Sequence, residues 1–164
     1  MSFDTFFQTA RFDGSVAVKK NPFTGASTSV PITEPLSSVE LKAVRKVLKE
    51  VGIKDKHGFY AVSFPDGGAA EVCAEEPATG CMVALRRITP DLTQFLFELL
   101  QAGNWVMLPA MAGNVALTTS PESIKGVPKD FPEIIMVNNA DEVGVVLSNG
   151  VQGWQKYRDK LSGK

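Results

Sequence analysis

The clearest hydrophobic pattern in the chain lies between Thr89 and Pro109. Five apolar residues recur there at helical spacing and form one face, with polar residues between them. They are Leu92, Phe95, Leu96, Leu99 and Leu100. Thr89-Pro90 supplies a capping hydroxyl and then proline at the first helical position, and Gly103 suits a helix end. The apolar run from Trp105 to Leu108, closed by Pro109, predicts a buried strand after this helix.

A second helix is predicted from Ser37 to Val51. Ser37 and Glu40 have the spacing of a capping box, and Gly52 follows the last apolar position. The apolar residues of the segment share one face, while its lysines and arginine lie on the other. The basic face could contact phosphate, but no aromatic or glycine-rich partner accompanies it, so we interpret it as the solvated side.

Alternating patterns predict strands at 3–9, 15–20, 27–32, 59–64, 69–73, 81–85, 115–118 and 133–137. Phe6 and Phe7 are adjacent and would point to opposite faces, which suits an interior strand. The turn Pro65-Asp66-Gly67-Gly68 predicts a hairpin, and Glu71 should point away from the face of its neighbours. A last helical region should start at Asn139 or Asp141 and break at Asn149-Gly150.

This order of elements predicts an α+β fold. Strands and helices are intermixed, and hairpins join several strands, so we expect a mainly antiparallel, mixed sheet packed by two to four helices. The 164 residues are expected to form one domain, 1–164. A chain of this length buries roughly 70% of its unfolded surface, so it needs no metal or disulfide for stability.

Composition narrows the classes of partner. The net charge of −1 gives no general attraction for nucleic acid or for an anionic membrane. No run approaches the roughly 20 apolar residues of a membrane helix, and the first residues lack the pattern of a secretory signal. We therefore expect a cytoplasmic protein in which Cys73 and Cys81 are free thiols.

Familiar catalytic and metal-binding patterns are missing from the sequence. His57, the only histidine, lies in a charged turn whose neighbours supply neither an orienting carboxylate nor a nucleophile, so we expect it to be solvent-exposed. With one histidine and two cysteines, a four-ligand zinc site built from cysteine and histidine alone is not available within one chain. Glycine-rich phosphate loops, serine-nucleophile motifs and calcium loops are also absent. No catalytic, cofactor-binding or metal-binding residue is predicted.

Acidic residues stand out in one hairpin. Asp66, Glu71, Glu75 and Glu76 lie in a segment with no lysine or arginine between Lys56 and Arg86. A solvated sheet face and turn is the simplest interpretation. A carboxylate pair for acid–base or glycosidic chemistry needs a fixed separation that the sequence does not supply. A docking surface for a basic protein, which we place above catalysis, would use the charges to steer association and fix orientation.

Three stretches together resemble a loose group of small, uncharacterised bacterial proteins. They are the opening residues 1–8, the hairpin 58–72 and the segment 89–109. Some members of that group resemble immunity proteins of interbacterial toxin systems. The resemblance implies a cytosolic protein that binds and blocks a cognate toxin, and it brings no catalytic residue with it. The near-neutral charge fits a strongly basic nuclease toxin poorly, so the class of target stays open.

The sequence favours a non-catalytic protein-binding protein, with Asp66, Glu71, Glu75 and Glu76 as part of the contact surface. The alternative is a small-molecule-binding domain or enzyme with a pocket near the Trp105 strand and the turn Ala112-Gly113-Asn114. A structural or self-associating domain is a third hypothesis, and the sequence leaves the existence of a homo-oligomer open.

Overall fold

The computed structural model describes residues 3–74, 79–112, 115–124 and 133–163. These residues form ten β-strands, three α-helices and two short 3₁₀ turns. The strands are β1 (Phe3–Gln8), β2 (Phe12–Lys20), β3 (Ser27–Thr33), β4 (Gly52–Lys54), β5 (Phe59–Ser63), β6 (Ala69–Cys73), β7 (Gly80–Arg87), β8 (Val106–Pro109), β9 (Val115–Thr118) and β10 (Glu133–Met136). The helices are α1 (Ser38–Val51), α2 (Pro90–Ala102) and α3 (Ala140–Leu161).

Eight of these strands form one mixed sheet. Its order is β10-β9-β8-β1-β7-β6-β5-β4, with every pair antiparallel except the parallel pair β9 and β10. β1 lies between β7 and β8, which confirms the interior strand predicted from Phe6 and Phe7. The predicted α+β fold with a mainly antiparallel, mixed sheet is confirmed.

The helices pack on one face of this sheet, with α2 between α1 and α3. The predicted apolar stripe of α2 is confirmed, since its five residues are all buried. They share one hydrophobic cluster with alternate residues of the strands, such as Phe7, Val72 and Val83. Burying a leucine or phenylalanine completely contributes about 1.5–3 kcal/mol. This helix-covered face is therefore the main source of stability.

Local signals placed the helix starts correctly. Ser37 and Glu40 form the predicted capping box, and Thr89 and Asn139 cap α2 and α3. The predicted break at Asn149-Gly150 is wrong, because α3 is continuous for 22 residues. Its first half is held against α2, where a Cβ added at Gly144 would lie 3.3 Å from the Thr93 methyl group. Close packing here overrides the low helix propensity of glycine.

Strands β2 and β3 form a separate two-stranded sheet, which we call the arm (residues 12–33). Most of its side chains are exposed, so the arm projects from the body. Its base is fixed where the Glu34 N–H donates to the Arg11 carbonyl at 2.8 Å. Arg11 in turn donates two hydrogen bonds to Glu40 of α1, both at 2.8 Å.

Among the helices of the described ranges, none combines the length and the apolar character that crossing a bilayer requires.

Candidate functional site

The sheet has a second face, opposite the helices, which we call the open sheet face. Strand register aligns five apolar side chains across it in one row. In order these are Leu108, Phe6, Met82, Cys73 and Phe59. Phe6 is 45% exposed and Phe59 is 41% exposed. A sheet face turned to water normally alternates to polar residues, so this row is an apolar patch without cover in the described structure.

A more polar row runs beside it. Register aligns Asp4, Ala84, Glu71, Ala61 and Ile53 across the same face. The Arg86 guanidinium donates to the Glu71 carboxylate at 2.9 Å, and both side chains are about half exposed. The prediction that Glu71 points away from its neighbours is confirmed, since Ala70 and Val72 are buried on the helix side. Glu71 thus lies beside the apolar row on the open sheet face.

Asp66 has a different role from Glu71. One of its oxygens accepts from the Gly68 N–H at 2.9 Å and the Thr89 hydroxyl at 2.8 Å, and the other accepts from the Asp91 N–H at 2.9 Å. Burial works to raise the pKa of Asp66, but these hydrogen bonds and the Arg87 charge outweigh it and lower that pKa. Asp66 therefore links the β5–β6 turn to the start of α2 through hydrogen bonds.

The structure describes two of the four predicted acidic residues, and it places these two apart. Asp66 lies in the turn beside α2, while Glu71 lies on the open sheet face. Glu75 and Glu76 lie outside the described residues. Of the two described residues, Glu71 is exposed on the open sheet face, whereas Asp66 is hydrogen-bonded to the start of α2.

A cleft of about 340 Å³ opens where the arm joins the body. Its lining includes Phe6, Cys73 and Met82 from the open sheet face and Thr33 from the arm. The apolar row therefore borders a shallow, open cleft at its centre. The rest of the cleft's described lining, at the ends of β1 and β7, includes the more polar Gln8, Thr79 and Gly80.

The pocket predicted near Trp105 is not supported at Trp105 itself. The indole is completely buried and packs on Phe7, with ring centroids 5.8 Å apart. Trp105 therefore offers no surface to a ligand. Its N–H and the Thr5 hydroxyl are buried without a hydrogen-bond partner among the described residues. Gly113 and Asn114, the other part of that prediction, lie outside the described residues.

A wider groove of about 590 Å³ runs along α1. Lys42, Lys46 and Lys49 contribute to it and are exposed, as expected for a solvated basic face. Its lining in the described residues comes from α1 alone, so no second described element brings polar groups towards the lysines. Such an arrangement is typical of a helix surface and not of a specific anion site.

The other candidate groups are structurally ordinary. His57 is exposed, as predicted. It lies in a turn where its backbone N–H donates to the Asp55 carboxylate at 2.8 Å. Both cysteines are free, as predicted, with Cys73 half-buried on the open sheet face and Cys81 buried on the helix side. In the ranges that the structure describes, no three histidine, cysteine or acidic side chains are grouped to hold a metal ion.

Sequence reasoning missed the apolar members of the open sheet face. Phe59 and Met82 are predicted only as strand residues, and no role is predicted for Phe23, which is 95% exposed in the arm turn. A signal did exist for Phe6, because Phe7 beside it must take the opposite face. Compared with models of protein families, with curated proteins and with solved structures, the chain matches none.

Proposed function

We propose that this chain is a non-catalytic protein-binding protein whose contact surface is the open sheet face. The observation that carries the proposal is the row Leu108, Phe6, Met82, Cys73 and Phe59 on the face opposite α1, α2 and α3. Large apolar patches on a protein surface mark sites of interaction with other macromolecules. Aromatic side chains and methionine are also enriched in protein interfaces.

The form of the surface supports a protein partner over a small molecule. Small-molecule sites are concave and surround most of their ligand, whereas a row across five strands spans about 20 Å at the usual spacing between strands. Glu71 and Arg86 border the row and can set the orientation of a partner through complementary charge. The apolar row would supply the affinity, and the charged residues would supply association rate and register.

The experiment compares capture of partners from the source cells by three baits. These are the wild type, Phe6→Ser on the open sheet face, and Val39→Ser, an exposed position on α1. A protein captured by the wild type and by Val39→Ser, but not by Phe6→Ser, is the expected result. Equal capture by all three baits would show that the wrong face was chosen. Thermal melting of each bait checks that it is folded.

A separate experiment tests whether the acidic residues contribute to partner binding. Glu71, Glu75 and Glu76 changed together to lysine should slow association with the captured protein and alter its dependence on salt, because the steering charge is reversed. Unchanged capture and unchanged salt dependence would remove these residues from the contact surface.

The narrower hypothesis of a toxin-neutralising immunity protein rests on the sequence resemblance. It requires that the captured protein be a toxin and that one equivalent of this chain suppress its activity. Phe6→Ser should lose that suppression, and Val39→Ser should retain it. A captured protein with no toxic activity would refute the immunity hypothesis and leave protein binding in place.

A further inference from the structure

The arm presents a second surface, distinct from the open sheet face. We propose that its tip docks on an anionic lipid bilayer, with Phe23 entering the membrane interface and Lys19 and Lys20 contacting lipid phosphates. The contact uses the distal part of the arm, residues 18–27, and none of the apolar row. It is therefore independent of the proposed protein-binding function and goes beyond it.

The arm extends from the body as a separate element. β2 and β3 pair with each other, and neither packs extensively on another described element. Between positions 13 and 32, every residue except Ala17 and Val30 is exposed. The nine residues of β2 span roughly 30 Å at the usual rise per residue, so the tip reaches a surface that the body does not touch.

Phe23 is an apolar side chain held out into water at the arm tip. It is 95% exposed, although large apolar side chains are usually buried. The Asn21 side-chain oxygen accepts from the N–H groups of Phe23 at 2.8 Å and Thr24 at 3.1 Å, so the backbone beneath the ring is ordered. An ordered anchor loses little conformational entropy when it docks. Phenylalanine is among the side chains that proteins bury at the boundary between lipid headgroups and acyl chains.

The backbone of the tip is suited to a medium with little water. Each N–H group of the turn 21–26 has an acceptor inside the turn, and Pro22 has no N–H to satisfy. The acceptors are the Asn21 and Ala26 carbonyls, the Asn21 side chain and the Thr24 hydroxyl. A backbone donor without a partner makes entry into lipid costly. The tip therefore enters the interface without leaving a backbone N–H unpaired.

Two lysines lie directly behind the tip. Lys19 and Lys20 are the last residues of β2 before the turn, and both are exposed. Successive strand residues point to opposite faces, so the arm carries one ammonium group on each face. The Lys20 side chain runs towards the tip, since its Cε would lie 3.9 Å from a Cβ added at Gly25. This places positive charge at the level of the headgroups when Phe23 lies below them.

Charge changes along the arm from base to tip. The segment 14–33 contains Lys19 and Lys20 and no acidic residue. The flanking Asp13 and Glu34 lie at the base, about 20 Å from the lysines at the usual rise per residue. A negatively charged surface that meets the tip therefore meets only positive charge from the arm.

The net charge of the whole chain does not prevent this contact. The chain carries −1 and the segment 14–33 carries +2, so the rest of the chain carries −3. Electrostatic interactions decay over a Debye length of about 8 Å at physiological ionic strength. An arm of roughly 30 Å standing on the bilayer holds the body beyond that distance. The attraction therefore depends on the charge of the tip and not on the average charge of the chain.

A bilayer accounts for the tip better than a nucleic acid does. A protein that binds DNA through its backbone makes on the order of 6–10 phosphate contacts, whereas the segment 14–33 has two cations. A bilayer presents phosphate and hydrocarbon in adjacent layers, which match the lysines and the exposed ring in turn. Two charges and one ring supply less than a myristoyl chain, which gives about 10⁴ M⁻¹, so we expect reversible binding with a constant of about 10³ M⁻¹.

The first measurement is co-sedimentation of the full chain with vesicles at physiological ionic strength. Vesicles of phosphatidylcholine and phosphatidylglycerol, at about three to one, are compared with phosphatidylcholine alone over about 0.1 to 10 mM lipid. The wild type should bind the anionic vesicles with the expected constant and the neutral vesicles at least about tenfold more weakly. Equal binding to both kinds of vesicle would refute the role of the lysines.

Substitutions locate the contact on the arm. Phe23→Ser should weaken binding to the anionic vesicles at least about tenfold, because the apolar anchor is lost. Val39→Ser, at a position of α1 that is 76% exposed, is the matched control and should bind like the wild type. Equal losses in these two variants would show that the ring is not the anchor. Phe23 is too exposed to support the fold, so thermal melting of its variant should match the wild type.

The lysines have a matched control on α1. Lys19→Ser combined with Lys20→Ser should weaken binding about 30-fold, the effect of two lysines near an anionic surface. Lys42→Ser combined with Lys49→Ser removes the same charge from exposed positions of α1 and should stay within about twofold of the wild type. Equal losses in the two pairs would show that binding follows net charge and not the arm.

The second measurement reads the depth of the tip. Phe23→Trp is mixed with anionic vesicles whose acyl chains are brominated, because bromine quenches tryptophan fluorescence at short range. Its emission should fall relative to the wild type on binding, whereas Val39→Trp should show no such additional quenching. Bound Phe23→Trp protein without additional quenching would overturn the proposal, because the ring would then lie outside the bilayer.

The outcomes separate the bilayer from other partners and from the proposed function. A wild type that fails to bind anionic vesicles at about 10 mM lipid overturns the proposal. Duplex DNA bound more tightly than vesicles, and dependent on Phe23, would assign the arm to nucleic acid instead. Phe6→Ser should bind vesicles like the wild type, because the open sheet face takes no part. Protein capture that does not depend on Phe6 refutes the proposed function and leaves the binding of vesicles by the arm in place.

Discussion

Glu40 is the residue whose substitution most directly tests how the arm is fixed to the body. Its two carboxylate oxygens accept from the Arg11 guanidinium, both at 2.8 Å, and one of them also accepts from the Ser37 N–H at 2.8 Å. One carboxylate therefore joins the base of the arm to the first turn of α1. Only 18% of the Glu40 side chain and 23% of the Arg11 side chain are exposed.

Glu40→Gln removes the charge and one of the two acceptors that Arg11 uses. Hydrogen bonds to charged groups contribute about 1.5–3 kcal/mol when buried. The partial exposure of this pair screens it, so we expect the free energy of unfolding to fall by about 1–2 kcal/mol. For a chain of this size the melting temperature should fall by about 2–8 °C. Hydrogen exchange in β2 and β3 should also accelerate, because the base of the arm is loosened.

The fall in the free energy of unfolding caused by Glu40→Gln should become smaller at low pH. Partial burial works to raise the pKa of Glu40, but the hydrogen bonds from Arg11 and Ser37 and the Arg11 charge outweigh it and lower that pKa. A carboxyl with a lowered pKa stabilises the fold fully above its ordinary value of 4.5, and this contribution is lost as pH falls through the lower folded value. The difference between wild type and Glu40→Gln should therefore shrink from pH 7 to pH 3.

Urea unfolding at both pH values measures this difference. Glu50→Gln is the control, because Glu50 pairs with Lys46 at 3.8 Å on the exposed side of the same helix. Glu50→Gln should lower the free energy of unfolding by less than about 0.5 kcal/mol at either pH. Equal losses in the two variants, or a loss in Glu40→Gln that does not change with pH, would refute the role given to the Arg11–Glu40 pair.

Three further predictions concern the core, the turn and the thiols. Leu96→Ala, at a fully buried position of α2, should lower the free energy of unfolding in urea by about 2–5 kcal/mol through the cavity it leaves. Asp66→Asn should lower the melting temperature at pH 7, and the difference from the wild type should shrink as the pH falls below 3.8, because the pKa of Asp66 is lowered in the fold. Dithionitrobenzoate should label Cys73 in the native monomer and Cys81 only after unfolding, since burial first and the neighbouring Cys73 second raise the pKa of the Cys81 thiol.

Local features of the fold could be predicted because their causes are local. The start of α2 follows from Thr89 and Pro90, and the capping box of α1 follows from the spacing of Ser37 and Glu40. Strand order is not local. The parallel pairing of β9 with β10 and the short edge strand β4 depend on where distant segments meet, and neither was predicted. The wrong break in α3 has the same origin, since the contact of Gly144 with Thr93 joins residues 51 positions apart.

The acidic hairpin shows why a charge pattern could not define the site. Asp66 and Glu71 are similar in sequence terms, since both lie in one hairpin without nearby cations. In the fold, the Asp66 carboxylate accepts a hydrogen bond from the Asp91 N–H, 25 positions along the chain. It thereby becomes part of the cap of α2. Glu71 keeps an exposed position because strand alternation alone fixes its face. Alternation was predictable from the sequence, and the distant hydrogen-bond partner was not.

The open sheet face is where the sequence departs most from the usual alternation of apolar and polar residues in a sheet. An antiparallel sheet with helices on one side usually alternates apolar residues towards the helices with polar residues towards water. β1, β5 and β7 depart from this rule at Phe6, Phe59 and Met82, and register brings the three into one row. Departures from a local rule that stabilise nothing within the chain are expected at functional sites. The row contributes little to the helix-covered core, and it is the observation on which the proposed binding surface rests.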